Sequence, residues 1–197
     1  MKNKLTNLRA IIVSILLGIV LSACSGTDMD AFEADLLGTW KTSCLYSSSR
    51  DTYALLQKSY DNNELSGDIK VFADADCSQP LYTITYAGTY NVGQEIILTS
   101  GKRVRAIDFV FSQWMESPDN VEMRDDFNNS NYCGKTDWVA GELVDVTNCS
   151  DFLGSDKQFD IVSIESDRLF LGDFSTGDGT SADNRPTQLE SVHYLKQ

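Results

Sequence analysis

The stretch LYTITYAGTYNV, Leu81 to Val92, places Tyr82, Ile84 and Tyr86 on one face of an extended chain and Leu81, Thr83 and Thr85 on the other. A period of two in β-branched and aromatic residues marks a strand with one buried face. Gly88 interrupts the pattern where a barrel would bulge or turn a corner. Similar signals lie on both sides. Gly38 to Tyr46 reads as a first strand, and Asp51 to Tyr60 as a second, although YALLQKSY also fits a short helix. DIKVFAD sets Ile69, Val71 and Ala73 against Lys70 and Phe72. Downstream, EIILTS and KRVRAIDFVFSQW read as a pair about Gly101, with Arg105, Ile107, Phe109 and Phe111 on one face.

From Glu116 to Asp151 the alternation stops. SPDNVEMRDDF predicts a helical turn with Ser117 as N-cap and Pro118 at its first position. KQFDIVSIES and RLFLGDF read as a hairpin about Ser166-Asp167. In TQLESVHYLKQ, Leu189, Ser191, His193 and Leu195 oppose Glu190, Val192 and Tyr194. The count is eight or nine strands, without repeats or β-α-β alternation. A meander of that size closes into a single antiparallel barrel to remove its edges, with one long loop or helical excursion.

The chain ends differ from this pattern. Lys2, Lys4 and Arg9 precede an apolar run from Ile11 to Val20, and LSAC follows at Leu21 to Cys24. A basic start and a short apolar run form a secretory signal. The run is short for a membrane span. LSAC resembles the lipobox of bacterial lipoproteins, which implies cleavage after Ala23 and acylation of Cys24. Ser25 resembles the outer-membrane sorting residue of Gram-negative lipoproteins, so the implied location is the cell envelope, lipid-anchored to the outer membrane. The expected division is a signal peptide over 1–23, a lipidated tether over 24–35 and a barrel over 36–197.

The formal net charge is −13, with one histidine in 197 residues. Without residues 1–23 the remaining 174 residues carry −16. Such a surface disfavours nucleic acid and anionic headgroups, so the expected membrane contact is the lipid anchor alone. With Cys24 set aside, Cys44, Cys77, Cys133 and Cys149 remain, an even number in an exported chain. Of three pairings, the sequence neighbours Cys44–Cys77 and Cys133–Cys149 are expected. No C-x-x-C occurs and His193 is remote, so neither metal nor cofactor is expected.

Gly38-Thr39-Trp40 resembles the G-x-W that opens the first strand of lipocalins and related calycin barrels. There the tryptophan lies across the closed end beside a basic residue, for which Lys196 and Arg185 are the candidates. LGTWKTSC with ADADCSQPLYTITYAG is similar to the domain of the adenomatosis polyposis coli down-regulated proteins, through Gly38, Trp40, Cys44, Cys77, Pro80, Tyr82 and Gly88. That resemblance implies an extracellular, disulfide-bonded, lipocalin-like domain able to bind lipid.

Trp40, Tyr82, Tyr86, Arg105, Phe109 and Phe111 are the candidate ligand residues, with Arg105 facing a carboxylate or headgroup. The alternative is a solid barrel with these residues as plain core and Arg105 outside, because eight strands enclose little more than their own side chains. The first case predicts a carrier of an apolar ligand such as a fatty acid. The second predicts a non-enzymatic envelope module that meets a protein partner through its loops. No nucleophile motif is present, and Asp173, Asp178 and Asp183 fail the spacing of a calcium loop.

Overall fold

A computed structural model describes residues 27–48, 50–149 and 156–197. The expected signal peptide and Cys24 lie outside them. Ten strands follow in chain order: β1 (Gly38–Lys41), β2 (Leu45–Ser47), β3 (Thr52–Asp61), β4 (Glu64–Phe72), β5 (Pro80–Ile97), β6 (Arg103–Pro118), β7 (Val144–Asp145), β8 (Lys157–Glu165), β9 (Arg168–Gly172) and β10 (Leu189–Lys196). Two α-helices, α1 (Thr27–Leu36) and α2 (Val121–Ser130), lie before the barrel and inside the excursion.

All pairings are antiparallel, and β1 pairs with both β3 and β10. That double pairing closes β1, β3, β4, β5, β6, β8, β9 and β10 into an eight-stranded barrel, with β2 and β7 as additions. The fold is therefore all-β and of the lipocalin-like type. Local chemistry sets the hairpins. Asn62 and Asn63 both adopt positive φ between β3 and β4, as a two-residue primed turn requires. Gly101 does so between β5 and β6, and Ser166 between β8 and β9.

These three hairpins and α1 gather at one end, the floor. Residues 50–51, 73–79, 119–149 and 173–188, from the four other connections, gather at the opposite end, the mouth. Leu36, Trp40, Tyr60, Leu65, Tyr90, Ile107, Phe109, Val162 and Leu169 fill the lower barrel. A smaller apolar cluster of Leu98, Val104 and Ile161, with Ile96 and Leu189, lies apart from it.

Several details depart from the sequence reading. Residues read as a polar tether form α1, because Phe32 and Leu36 find the barrel floor to pack on. EIILTS is no separate strand; it continues β5, which shifts register at Gly88 and again after Val92. The helix of the excursion is capped by Asn120, whose side chain accepts from the Met123 amide at 2.8 Å, and not by Ser117. Ser117 and Pro118 are still strand, paired with Thr83 and Tyr82. A register shift between Leu189 and His193 breaks the simple alternation of the last strand.

Candidate ligand-binding site

Register decides which side chains face inward. Trp40 pairs with Lys58, Lys58 with Gly67, Gly67 with Tyr86 and Tyr86 with Trp114. Directly paired residues share a face, so one ring of inward positions runs through Trp40, Lys58, Gly67, Tyr86 and Trp114. By the same logic Tyr82, Arg105, Phe109 and Phe111 point inward. All six candidate ligand residues therefore belong to the interior face, and Arg105 is not on the outer wall.

They do not form one group. Trp40 is fully buried at the floor and donates its indole N–H to the Leu36 carbonyl at 2.7 Å. The Lys196 ammonium lies 5.1 Å from its ring centre and donates to the Asp35 carbonyl at 2.7 Å. Lys196, and not Arg185, is thus the basic partner of Trp40. Arg185 instead donates to the carbonyls of Ile107 and Asp160 and pairs with Asp108, pinning the last loop to β6 and β8. Arg105 also sits at the floor, its guanidinium 5.9 Å from the ring centre of Phe32 on α1.

Tyr86, Phe109, Phe111 and Trp114 meet in the middle, with Tyr86–Trp114 and Phe111–Trp114 centroids 5.1 and 4.9 Å apart. Gly67 makes this possible. A Cβ there would lie 2.4 Å from the Tyr86 hydroxyl and 2.3 Å from the Gln57 carbonyl. Tyr82 stands at the mouth, where its hydroxyl accepts from Arg50 at 2.7 Å and its ring faces Phe127 of α2 at 6.2 Å.

The excursion roofs that mouth. Phe127, Tyr132 and Trp138 form an aromatic cluster, and Asn128 clamps it by exchanging two hydrogen bonds with the Trp138 backbone. Its far end is tied by Cys133–Cys149 (Cα–Cα 5.2 Å), while Cys44–Cys77 (6.0 Å) joins the first strands to the loop before β5. Both expected pairings are present. Tyr132 donates to Glu116 Oε2 at 2.9 Å under this roof. Burial drives the Glu116 carboxyl up to about 7, opposed by the Tyr132 hydrogen bond and by Arg50. Burial beside Glu116 also raises the Tyr132 phenol.

Sequence reading missed the polar interior. Lys58, Tyr60, Asp160 and Tyr194 all enter the barrel. Asp160 is fully buried and accepts from the amides of Ile161 (2.7 Å) and Gly172 (2.9 Å). Burial lifts its carboxyl to about 6 in spite of those bonds and of Lys58. Burial likewise takes the Tyr194 phenol to about 12. The alternation Ala54, Leu56, Lys58, Tyr60 already carried the signal for Lys58, but only if YALLQKSY is a strand.

Burial along the interior is uneven. Trp40, Tyr60, Leu65, Ile107 and Phe109 near the floor and Val71, Ile84, Tyr86 and Trp114 nearer the mouth are buried, whereas the inward residues Ala54, Leu56, Lys58, Ile69, Tyr82 and Phe111 are only half-buried. Above Lys41, β2 pairs with β3 alone, so the seam with β10 is two residue pairs long. Two further hollows, of about 570 and 240 Å³, open beside Phe170 and Leu189 and beside Cys133 and Cys149, and neither is lined by the candidate ligand residues. Among the described residues no cluster of His, Cys, Asp and Glu is arranged to hold a metal ion. The carboxylates of Asp173 and Asp178 accept from the amides of Ser175 and Thr180 in their own loop.

Fold and interior together define the class: a closed, disulfide-bonded, lipocalin-like barrel with an aromatic floor and a roofed mouth. No family model matches the chain, and no curated protein matches its sequence.

Proposed function

We propose that this protein is a bacterial envelope lipoprotein, anchored through Cys24, whose barrel binds an apolar ligand such as a fatty acid or lipid. The observation that carries the ligand reading is the set of inward side chains that the barrel leaves incompletely buried. A barrel serving only as a scaffold gains most by burying every inward side chain. Here Leu56, Ile69, Tyr82 and Phe111 face inward yet stay half-buried. An apolar chain lying against them would remove that surface from water. The motif shared with the adenomatosis polyposis coli down-regulated domain supports the same reading, without the signalling role of that family. Binding rather than catalysis fits the two buried carboxyls, since Glu116 and Asp160 are each engaged by donors of their own chain.

Native mass spectrometry after mild purification tests the proposal together with uptake of a fluorescent fatty acid. A co-purified or exchangeable lipid is expected. Repeated absence of both would overturn the reading. Metabolic labelling with an alkynyl palmitate, lost in Cys24→Ala, tests the anchor separately. One observation favours a second reading. Val121, Val139 and Leu143 leave apolar surface exposed on the excursion, which suits a protein partner at the mouth. Crosslinking from these positions in cells to one discrete partner, with no lipid bound, would favour it.

A further inference from the structure

The interior holds a cation without a contact ion pair. Lys58 enters the barrel beside Trp40, with its ammonium 5.4 Å from the Tyr86 ring centre and 5.2 Å from that of Phe109. Two ring faces recover part of what the ammonium loses on leaving water. Among the described residues it makes no hydrogen bond and no ion pair. The acid that acts on it is Asp160, at longer range, whose one oxygen accepts from the amides of Ile161 and Gly172 and whose other accepts from Gln158 at 3.4 Å.

A second inward group lacks a hydrogen-bond partner. The Tyr60 hydroxyl is buried, with the residue 1% exposed, and has no hydrogen-bond partner. It lies within electrostatic range of Tyr86, Tyr194 and Asp160. Lys58 in turn acts on both Tyr194 and Asp160, and it stands two residues before Tyr60 on the same inward face of β3. Buried donors are ordinarily paired, and buried charges are paired or hydrogen-bonded. A half-buried ammonium with no ion pair and a buried phenol with no partner, at consecutive inward positions of β3, define a receptor for an anionic oxygen.

We propose that Lys58, with the Tyr60 hydroxyl as second donor, binds the carboxylate of an amphiphilic acid whose apolar chain runs toward the mouth past Leu56 and Ile69. Lys58 and Leu56, like Gly67 and Ile69, are consecutive inward positions on neighbouring strands, which supplies a continuous path from head to chain. The anionic exterior then serves as contrast: the outer surface repels an acid that this interior cation retains. The inference rests on the barrel taking a ligand at all.

The test compares hexadecanoate with hexadecanol by displacement of a neutral fluorescent probe, on the purified protein with both disulfides intact. The wild-type protein is expected to bind the acid at least tenfold more tightly than the alcohol at pH 8. Lys58→Met should abolish that preference, and Tyr60→Phe should reduce it. Equal affinity for acid and alcohol, or a preference that survives Lys58→Met, overturns the anion site while the apolar-ligand reading stands. Failure of the wild-type protein to bind either compound overturns both. Should Lys58→Met not fold, carboxyl-¹³C hexadecanoate on the wild-type protein decides the matter. Its carboxyl should titrate below its value in water beside the ammonium, and titration at or above that value overturns the proposal.

Discussion

Lys196, the penultimate residue of the chain, lies 5.1 Å over the ring of Trp40 in the first strand, and its ammonium caps the carbonyl of Asp35 at the end of α1. One side chain therefore joins the helix, the first strand and the last strand at the floor. The barrel closes here on only two residue pairs, Trp40–Lys196 and Lys41–Leu195. Replacing Lys196 by Met keeps the packing but removes a half-exposed cation–π contact and a charged cap. The expected loss is about 1–2 kcal/mol in chemical denaturation. Trp40→Ala should cost more, about 3–5 kcal/mol, because it empties a fully buried site.

Glu116 makes stability depend on pH in a defined direction. Its carboxyl titrates near 7 in the folded protein, against 4.5 when unperturbed, so the folded state holds its proton more tightly than the unfolded state. The associated stability is complete below about pH 4.5 and is lost as pH rises through 7. Asp160 contributes in the same sense between 3.8 and about 6. Denaturation midpoints should therefore fall from pH 5 to pH 8. Glu116→Gln keeps an acceptor for Tyr132 and should flatten the part of that fall above pH 6. It should also stabilise the protein at pH 8 by on the order of 2 kcal/mol. A midpoint that rises over this range would contradict the assignment.

Gly67 is required by the ring that leans over it. Gly67→Ala would force a Cβ to 2.3 Å from the Gln57 carbonyl. A loss of about 1–3 kcal/mol is expected from overpacking. Because a backbone oxygen lies in the way as well as the Tyr86 hydroxyl, Tyr86→Phe should not restore stability in the double variant, as a thermal melt would show.

The two disulfides should separate in their effects. Cys133–Cys149 closes the roof over a separation of 16 residues, and Cys44–Cys77 spans 33 and involves the barrel wall. In the chain-entropy model each is worth about 3–4 kcal/mol. Cys133→Ser with Cys149→Ser is expected to raise amide exchange across 121–149 and leave the strands protected. Cys44→Ser with Cys77→Ser should lower protection in β3 and β4 as well. Equal exchange in the two double variants would show that the roof and wall are not separate units.

Local pattern determined much of this protein before any packing was known. Alternation in Leu81–Val92 and Arg105–Phe111 specified strands with an inward face, because a side-chain period of two leaves little choice once one face is apolar. Gly101 marked a hairpin, since positive φ favours glycine. Four cysteines with two close pairs pointed to the bridges that form. Only the tertiary structure decided the rest. Register through β1, β3 and β4 turned Lys58 inward, and no run of polar or apolar residues says across which neighbour a lysine will lie. α1 is helical because Phe32 and Leu36 meet a floor built from residues far along the chain. Lys196 meets Trp40 because the last strand returns to the first. Asp160 and Tyr194 come within electrostatic range of both Lys58 and Tyr60 from two other strands, and such a meeting exists only once the barrel has closed.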